Sequence, residues 1–334
     1  MTDSLALLRI PSPRSDSSDL ADFAELLTLT VLDHNVSKDD VIRRLIQAQE
    51  LIDEQEEIER DWIYEKAADI AFDELELRQE HMGRGHALYP FQLKGDLISF
   101  IGSLNGHSFL YLFLLLATRM NMAESRRVTV KGKGLDATAI FEELSLHVAK
   151  EYIGGEEEDI TGGILFGTAR SNSSQHPSLK VKPFKEAVEL LCKSMGEGGG
   201  LRPKFKGPIF AKDDKLDVVV WRKFADGREG KLMIFGQCKT GTSWDGTLTS
   251  LSPSTFCARW MDRQPAVMPI KAHFLAERIS IDNPGDFYYK SQDGGIIFDR
   301  CRILEFASSI PPILLGKCKS WSRAILRQHG INLS

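Results

Sequence analysis

The chain is sparing with cysteine, and its cysteines do not cluster. Five are scattered over 334 residues without a Cys-x-x-Cys spacing: Cys192, Cys238, Cys257, Cys301 and Cys318. Structural zinc sites and disulfide frameworks both need closely spaced or numerous cysteines, so the sequence argues against each of them. Unpaired cysteines of this kind are typical of a reducing compartment, and we expect a cytoplasmic protein.

Long apolar runs are missing as well. Residues 109–118 form an uncharged run, but a membrane-spanning helix needs roughly 20 such residues. We therefore expect a buried core helix there and no membrane association. The apolar stretch at residues 5–10 is too short for a secretory signal, and Pro-Ser-Pro-Arg follows it.

Motifs for nucleotide binding or for reading DNA are also absent. The glycine-rich run at residues 196–208 lacks the Lys-Ser/Thr ending of a phosphate-binding loop and precedes no helical pattern. A flexible basic loop near a nucleic-acid substrate suits it better. The chain has no ATPase, zinc-finger or helix-turn-helix motif, so a partner would have to supply such a function.

Charge is distributed unevenly. The net charge is −5, but residues 1–80 alone carry −13 and residues 201–240 carry +5. The acidic segment predicts a surface that faces a partner protein. The basic segment predicts a place where phosphate groups bind.

The length of the chain favours two domains. Helical periodicity dominates residues 1–125, which we interpret as a mainly α-helical accessory or regulatory domain. Residues 126–334 alternate between helical and strand-like patterns and predict an α/β domain. The 42% hydrophobic content is enough for a substantial core in each.

A β-hairpin is the clearest local prediction. Two apolar, β-branched stretches, residues 215–221 and 231–239, flank a turn-rich segment with Asp226-Gly227 at its tip. Asp-Gly between apolar strands is a strong hairpin signal.

Polar side chains lie at one end of this predicted hairpin. Asp217 begins the first strand, and Gln237 and Lys239 end the second. Because side chains alternate along a strand, Gln237 and Lys239 point the same way and Cys238 points the opposite way. A carboxylate, an amide and an ammonium group are therefore expected to converge.

This set suits a divalent cation and a phosphodiester. Asp217, the side-chain oxygen of Gln237 and the backbone carbonyl of Cys238 are hard oxygen ligands for Mg²⁺ or Mn²⁺. Lys239 can orient or help deprotonate a water, or neutralise the phosphate. A surface hairpin with a chance Asp and Lys is the alternative interpretation.

The segments Leu216-Asp217-Val218 and Gln237-Cys238-Lys239 resemble the PD-(D/E)xK nuclease superfamily, in particular the Mrr-like restriction endonucleases. The resemblance covers roughly residues 183–241. It implies a restriction-endonuclease-like core, with a mixed sheet flanked by helices. It also implies a Mg²⁺-dependent endonuclease that acts on DNA in bacterial restriction or antiphage defence, and a homodimer.

The sequence departs from this family just before the aspartate. The family has small residues there, whereas this chain has Lys212-Asp213-Asp214-Lys215. Asp213 and Asp214 are either charges of a solvated loop or additional metal ligands, and the loop interpretation is favoured.

The resemblance also implies a helix that carries one more acidic ligand, and two helices compete for this role. Residues 184–195 are nearer in the chain, with Glu186 or Glu189 as the acid. Residues 137–153 contain Phe141-Glu142, which looks like the Phe-Glu pair of Mrr-like first helices. Glu186 is the favoured catalytic and metal-binding residue, and Glu142 remains the alternative.

Two other functions remain open. The same site could cut RNA, because nothing in the sequence separates the two polymers. The chain could instead be a non-catalytic interaction subunit that uses a nuclease fold as a scaffold in a defence complex. A further acidic side chain at the sheet would favour the enzyme.

Overall fold

In the computed structural model, the described residues are 9–49, 60–83, 88–101, 106–119, 126–155, 157, 159–167, 183–203, 214–280 and 284–333. The chain divides into two compact units. Unit 1 comprises Met1–Leu135, Glu277–Pro284 and Leu315–Ser334; unit 2 comprises Asp136–Ala276 and Gly285–Leu314. The first division thus follows residue 135 rather than residue 125, and the end of the chain returns to unit 1.

Unit 1 is mainly helical in its described part, as the sequence predicts, but it also contains short strands. Its helices are α1 (Ser17–Thr30), α2 (Lys38–Gln49), α3 (Arg60–Gly83) and α4 (Gly106–Arg119). The strands are β1 (Asn35–Ser37), β2 (Phe91–Lys94), β3 (Leu97–Phe100), β4 (Arg127–Val130) and β5 (Lys133–Asp136). An antiparallel sheet has the order β1-β3-β2, and β4 pairs with β5. Strands of three or four residues are too short to show a clear alternating pattern, so the sequence did not predict this sheet.

The predicted core helix in unit 1 is confirmed. Residues 109–117 of α4 are all fully buried. The last helix, α10 (Pro312–Gln328), places Trp321 edge-to-face against Phe113, with ring centroids 5.3 Å apart. This packing explains why residues from Leu315 onward belong to unit 1. Within the described ranges, no helix is long and apolar enough to cross a membrane.

Part of the acidic character of unit 1 is internal. The fully buried Arg78 guanidinium binds the carboxylates of Asp22 at 2.7 Å, Glu25 at 3.0 Å and Glu74 at 2.9 Å. The Tyr111 hydroxyl donates a hydrogen bond to Glu25 at 2.7 Å. Buried charges of this kind are tolerated because they are paired and hydrogen-bonded.

Unit 2 is an α/β unit built on one mixed sheet, in agreement with the predicted class. The sheet order is β10-β9-β8-β7-β6, in which β6 to β8 are antiparallel and β8 to β10 are parallel. Its strands are β6 (Thr161–Leu165), β7 (Val218–Arg222), β8 (Met233–Lys239), β9 (Ile270–Leu275) and β10 (Ile296–Phe298). The flanking helices are α5 (Ala137–Tyr152), α6 (Phe184–Met195), α7 (Pro253–Trp260), α8 (Pro284–Gly294) and α9 (Arg300–Glu305).

The predicted hairpin is confirmed as β7 and β8. The strands pair antiparallel, with Val218 opposite Gly236. In the connecting turn, Gly227 has a φ of +67° and its N–H donates to the Phe224 carbonyl at 3.0 Å. A left-handed φ is readily adopted by glycine, which explains the Asp-Gly signal.

The two candidate helices cover opposite faces of the sheet. The apolar side of α6 belongs to a core cluster that includes Val219 and Trp221. Leu146 of α5 lies over Gly163, beside Val220. Since neighbouring residues of a strand face opposite ways, α5 and α6 lie on different sides of β7.

Candidate active site

Asp217 directly precedes β7 and is fixed through its backbone. Its N–H donates to the Gly236 carbonyl of β8 at 2.9 Å. Its carbonyl accepts from the N–H groups of Phe166 at 2.7 Å and Gly167 at 3.1 Å, which follow β6. Asp217 is therefore held between the ends of the two neighbouring strands.

The Asp217 carboxylate also takes part in the strand pairing. Its Oδ2 accepts the Cys238 N–H at 2.8 Å, in the place where a backbone carbonyl would continue the ladder. The N–H and C=O of one strand residue leave the strand on the same side, so the Cys238 carbonyl also faces the side of Asp217. The predicted proximity of Asp217 and the end of β8 is thus present.

Glu142 of α5 joins this carboxylate. Its side chain is buried, and its Oε2 lies 3.0 Å from the point where a Cβ on Gly167 would stand. Asp217 Oδ1 lies still closer to the same point. Because Gly167 has no side chain, it leaves open the small space that both carboxylates face. A methyl group there would fill this space.

Glu186, the favoured acid of the sequence analysis, occupies a different position. It is exposed in the first turn of α6, whose apolar side packs on the other face of the sheet. Its neighbour on the same helix, Glu189, accepts the Leu201 N–H at 2.7 Å. Of the two candidate helices, the structure thus brings α5 with Glu142 to Asp217.

Asp214, one of the two loop aspartates, has other partners. Its carboxylate accepts a hydrogen bond from Trp260 Nε1 at 2.6 Å and forms an ion pair with Arg259 at 3.2 Å. These contacts agree with a structural role rather than with metal binding. Asp213 lies outside the described residues.

Gln237 and Lys239 lie at the end of β8, beside β9. Gln237 pairs in register with His273. Its side chain is buried, and its Oε1 lies 2.8 Å from Ser250 Oγ and 3.2 Å from His273 Nε2. Lys239 is half-buried, and its carbonyl accepts the Ala276 N–H at 3.0 Å.

His273 is a residue of the site region that the sequence analysis did not single out. Burial lowers the pKa of its imidazole to about 4, and the charges of Lys271 and Lys239 act in the same direction. The ring is therefore neutral near pH 7. The only signal in the sequence was a histidine inside the apolar strand β9.

Cys238 points to the face opposite Gln237, as predicted from alternation. Burial raises the pKa of its thiol well above the usual value, and the charges of Asp217 and Glu142 raise it further. The thiol is therefore protonated at neutral pH, and it is not a thiolate nucleophile. Its raised pKa also reflects the negative potential of the two carboxylates.

The donor set fits a hard divalent cation. Mg²⁺ typically takes one or two carboxylates and keeps several waters. Glu142 and Asp217 supply such oxygens around the space beside Gly167, and the Cys238 carbonyl faces the side of Asp217. Among the described residues, no group of three or more His, Cys, Asp or Glu side chains forms a metal cage. A site here would accordingly depend on two carboxylates and neutral oxygens.

Comparison with known proteins identifies no relative: no protein-family model, curated protein or solved structure matches this chain. Its function must therefore be inferred from the residues of the site.

Proposed function

We propose that this chain is a Mg²⁺-dependent phosphodiesterase, an endonuclease that acts on DNA. The observation that carries the proposal is the meeting of Glu142 and Asp217 at the strand end that also bears Gln237 and Lys239. These residues come from a helix and two strands that are separated in sequence. Such a convergence is typical of a catalytic site.

The order of elements in unit 2 supports the same class. Helix α5 is followed by strand β6, helix α6, strands β7 and β8, helix α7 and strand β9. Strands β6 to β8 are antiparallel, and β9 is parallel to β8. Helix α6 is an addition between the first two strands. This order agrees with the restriction-endonuclease-like core that the Asp217 and Gln237-Cys238-Lys239 segments imply. The fold alone would not define the activity, which depends on the site.

Each residue has a distinct role in this proposal. Glu142, Asp217 and the Cys238 carbonyl would hold Mg²⁺ or Mn²⁺, and Gln237 would add a neutral oxygen. The bound cation supplies a water of lowered pKa and polarises the phosphate. Hydrogen bonding from Cys238 N–H to Oδ2 keeps the Asp217 carboxylate oriented so that Oδ1 faces Glu142.

Lys239 acts on the substrate in this proposal. Its side chain shares a face of β8 with Gln237, at the same end of the strand as Asp217. An ammonium group there can orient the attacking water and stabilise negative charge on the phosphate. The net charge of +5 over residues 201–240 supports a polyanionic substrate.

The test is a cleavage assay with plasmid DNA, linear duplex, single-stranded DNA and RNA, each with Mg²⁺ or Mn²⁺. Asp217→Asn is the preferred null variant, because its amide oxygen can still accept the Cys238 N–H. Asp217→Asn, Glu142→Gln and Lys239→Ala should each reduce cleavage on the order of 100-fold or more. Glu186→Gln is the matched control and should cut like the wild type.

Other outcomes would contradict parts of the proposal. If Glu142→Gln and Glu186→Gln lose cleavage activity equally, the assignment of Glu142 on α5 as the additional acidic ligand is wrong. Cleavage of RNA alone would make the chain a ribonuclease. If no polymer is cut, a Mn²⁺ titration of the wild type and Asp217→Asn distinguishes a nuclease that needs a partner from a non-catalytic scaffold.

A further inference from the structure

The Gln237 amide lies between two side chains, each of which donates its proton to a backbone carbonyl. Ser250 Oγ is 2.6 Å from the Thr247 carbonyl and 2.8 Å from the amide atom of Gln237. A hydroxyl group has one proton, and a carbonyl can only accept. When Ser250 donates to Thr247, its oxygen faces Gln237 as an acceptor.

The second group is the imidazole of His273. Its Nδ1 is 2.8 Å from the Gly294 carbonyl, so Nδ1 must carry the proton of the neutral ring. Nε2 is then an acceptor, and it lies 3.2 Å from the same amide atom of Gln237. The opposite tautomer would leave an unprotonated Nδ1 against the Gly294 oxygen, and a carbonyl in the backbone cannot turn to relieve this contact.

An amide can turn. The oxygen and nitrogen of a glutamine side chain exchange places on rotation by 180°, and hydrogen bonding decides between the two orientations. With Oε1 between Ser250 and His273, three acceptors would meet where the buried Gln237 and His273 side chains reach the exposed Ser250. With the NH₂ group there, each of its two protons has one acceptor.

We infer that His273 and Ser250 hold the Gln237 amide with its nitrogen towards them and its oxygen turned away from β9, towards the side of β7 and Asp217. This inference deepens the proposed function and depends on it for its consequence in metal binding. His273 and Ser250 are positioning residues, which act through Gln237. Hydrogen bonds of this outer kind orient metal ligands and commonly change metal affinity 10- to 100-fold when they are lost.

Two substitutions of His273 separate positioning from mere packing. In His273→Gln, the side-chain oxygen can take the place of Nε2 as an acceptor for Gln237. In His273→Asn, the shorter amide can still donate to the Gly294 carbonyl, as Nδ1 does, but no acceptor reaches Gln237. Both variants change the same buried position, so a general loss of packing affects both.

The first measurement is the tautomer of His273 in the wild-type protein, from long-range ¹H–¹⁵N correlation spectra. We expect a protonated Nδ1, a pyridine-like Nε2, and a coupling between this nitrogen and the Gln237 side-chain nitrogen across the hydrogen bond. A protonated Nε2 would overturn the inference. This measurement does not depend on metal binding or activity.

The second measurement is Mn²⁺ affinity, together with the Mg²⁺ concentration that gives half-maximal cleavage. His273→Asn should weaken metal binding at least about tenfold, with the cleavage rate largely restored at saturating metal, and His273→Gln should stay near the wild type. If Asp217→Asn abolishes Mn²⁺ binding but the wild type, His273→Asn and His273→Gln bind Mn²⁺ with equal affinity, the inference is overturned and the proposed function remains intact. If Asp217→Asn binds Mn²⁺ like the wild type, the proposed metal site is wrong, and so is the metal-positioning role of His273. The orientation of the Gln237 amide is then still decided by the measured tautomer of His273.

Discussion

The two carboxylates of the site should destabilise the protein when no cation is bound. Asp217 Oδ1 and Glu142 Oε2 both lie within 3.0 Å of one point. The two atoms are therefore at most about 5 Å apart, and at that separation, with an effective dielectric constant of about 20, Coulomb's law gives a repulsion of about 3 kcal/mol. The Cys238 N–H, the Lys239 charge and the other contacts of the two carboxylates offset part of this repulsion. We therefore expect Glu142→Gln to raise the free energy of unfolding of the metal-free protein by about 1–2 kcal/mol.

With a cation present, the order of stabilities should reverse. Binding to the folded state alone stabilises a protein by about 2.7 kcal/mol when the ligand concentration is 100 times Kd. The wild type keeps both carboxylates and gains this full amount. Glu142→Gln lacks one charged ligand, so at the same Mn²⁺ concentration it gains less. The wild type should then be the more stable protein.

Urea unfolding measured in EDTA and at increasing Mn²⁺ concentrations tests this crossing. Glu186→Gln is the control, because an exposed helical glutamate should change stability by less than about 0.5 kcal/mol under either condition. If Glu142→Gln is less stable than the wild type even in EDTA, protein groups rather than a cation satisfy the Glu142 carboxylate. The assignment of Glu142 as a metal ligand would then be refuted.

Three further predictions follow from other contacts. Gly167→Ala places a methyl group in the space that the two carboxylates face and should weaken Mn²⁺ binding at least about tenfold. Gly246→Ala is the control and should leave Mn²⁺ binding unchanged, because no described atom lies within 4 Å of the added carbon. Calorimetric titration of both variants with Mn²⁺ checks this. Arg78→Met removes the cation from a buried cluster of carboxylates and should lower the free energy of unfolding, measured in urea, by about 3–5 kcal/mol. Because burial lowers the pKa of His273 to about 4, the unfolded chain takes up a proton near pH 6.5 that the folded chain does not. The stability of the metal-free protein should therefore fall by up to about 3 kcal/mol between pH 6.5 and 4, and His273→Gln should flatten this dependence.

The predictions from sequence were accurate where the signals were local. Alternation of apolar residues and the Asp-Gly turn predicted the β7–β8 hairpin, and an uncharged apolar run predicted the buried helix α4. Strand β6 is not among the elements predicted from the sequence, because glycine is unfavourable inside a strand and β6 contains the pair Gly162-Gly163. In the structure, the Trp221 indole lies over Gly162 and Leu146 lies over Gly163, so both glycines allow a close approach. That requirement comes from residues far away in the chain and leaves no local pattern.

The choice between Glu142 and Glu186 depended on information of the same kind. Both helices are amphipathic and both carry a glutamate early in the helix, so periodicity does not separate them. What separates them is the face of the sheet that each helix covers. Helix α6 packs on the side of Val219 and Trp221, and α5 packs on the side of Val220. The Asp217 carboxylate, held by the Cys238 N–H, directs Oδ1 towards α5. Proximity in sequence favoured α6, but the site forms with α5, the helix on the side to which this hydrogen bond turns the Oδ1 atom of Asp217.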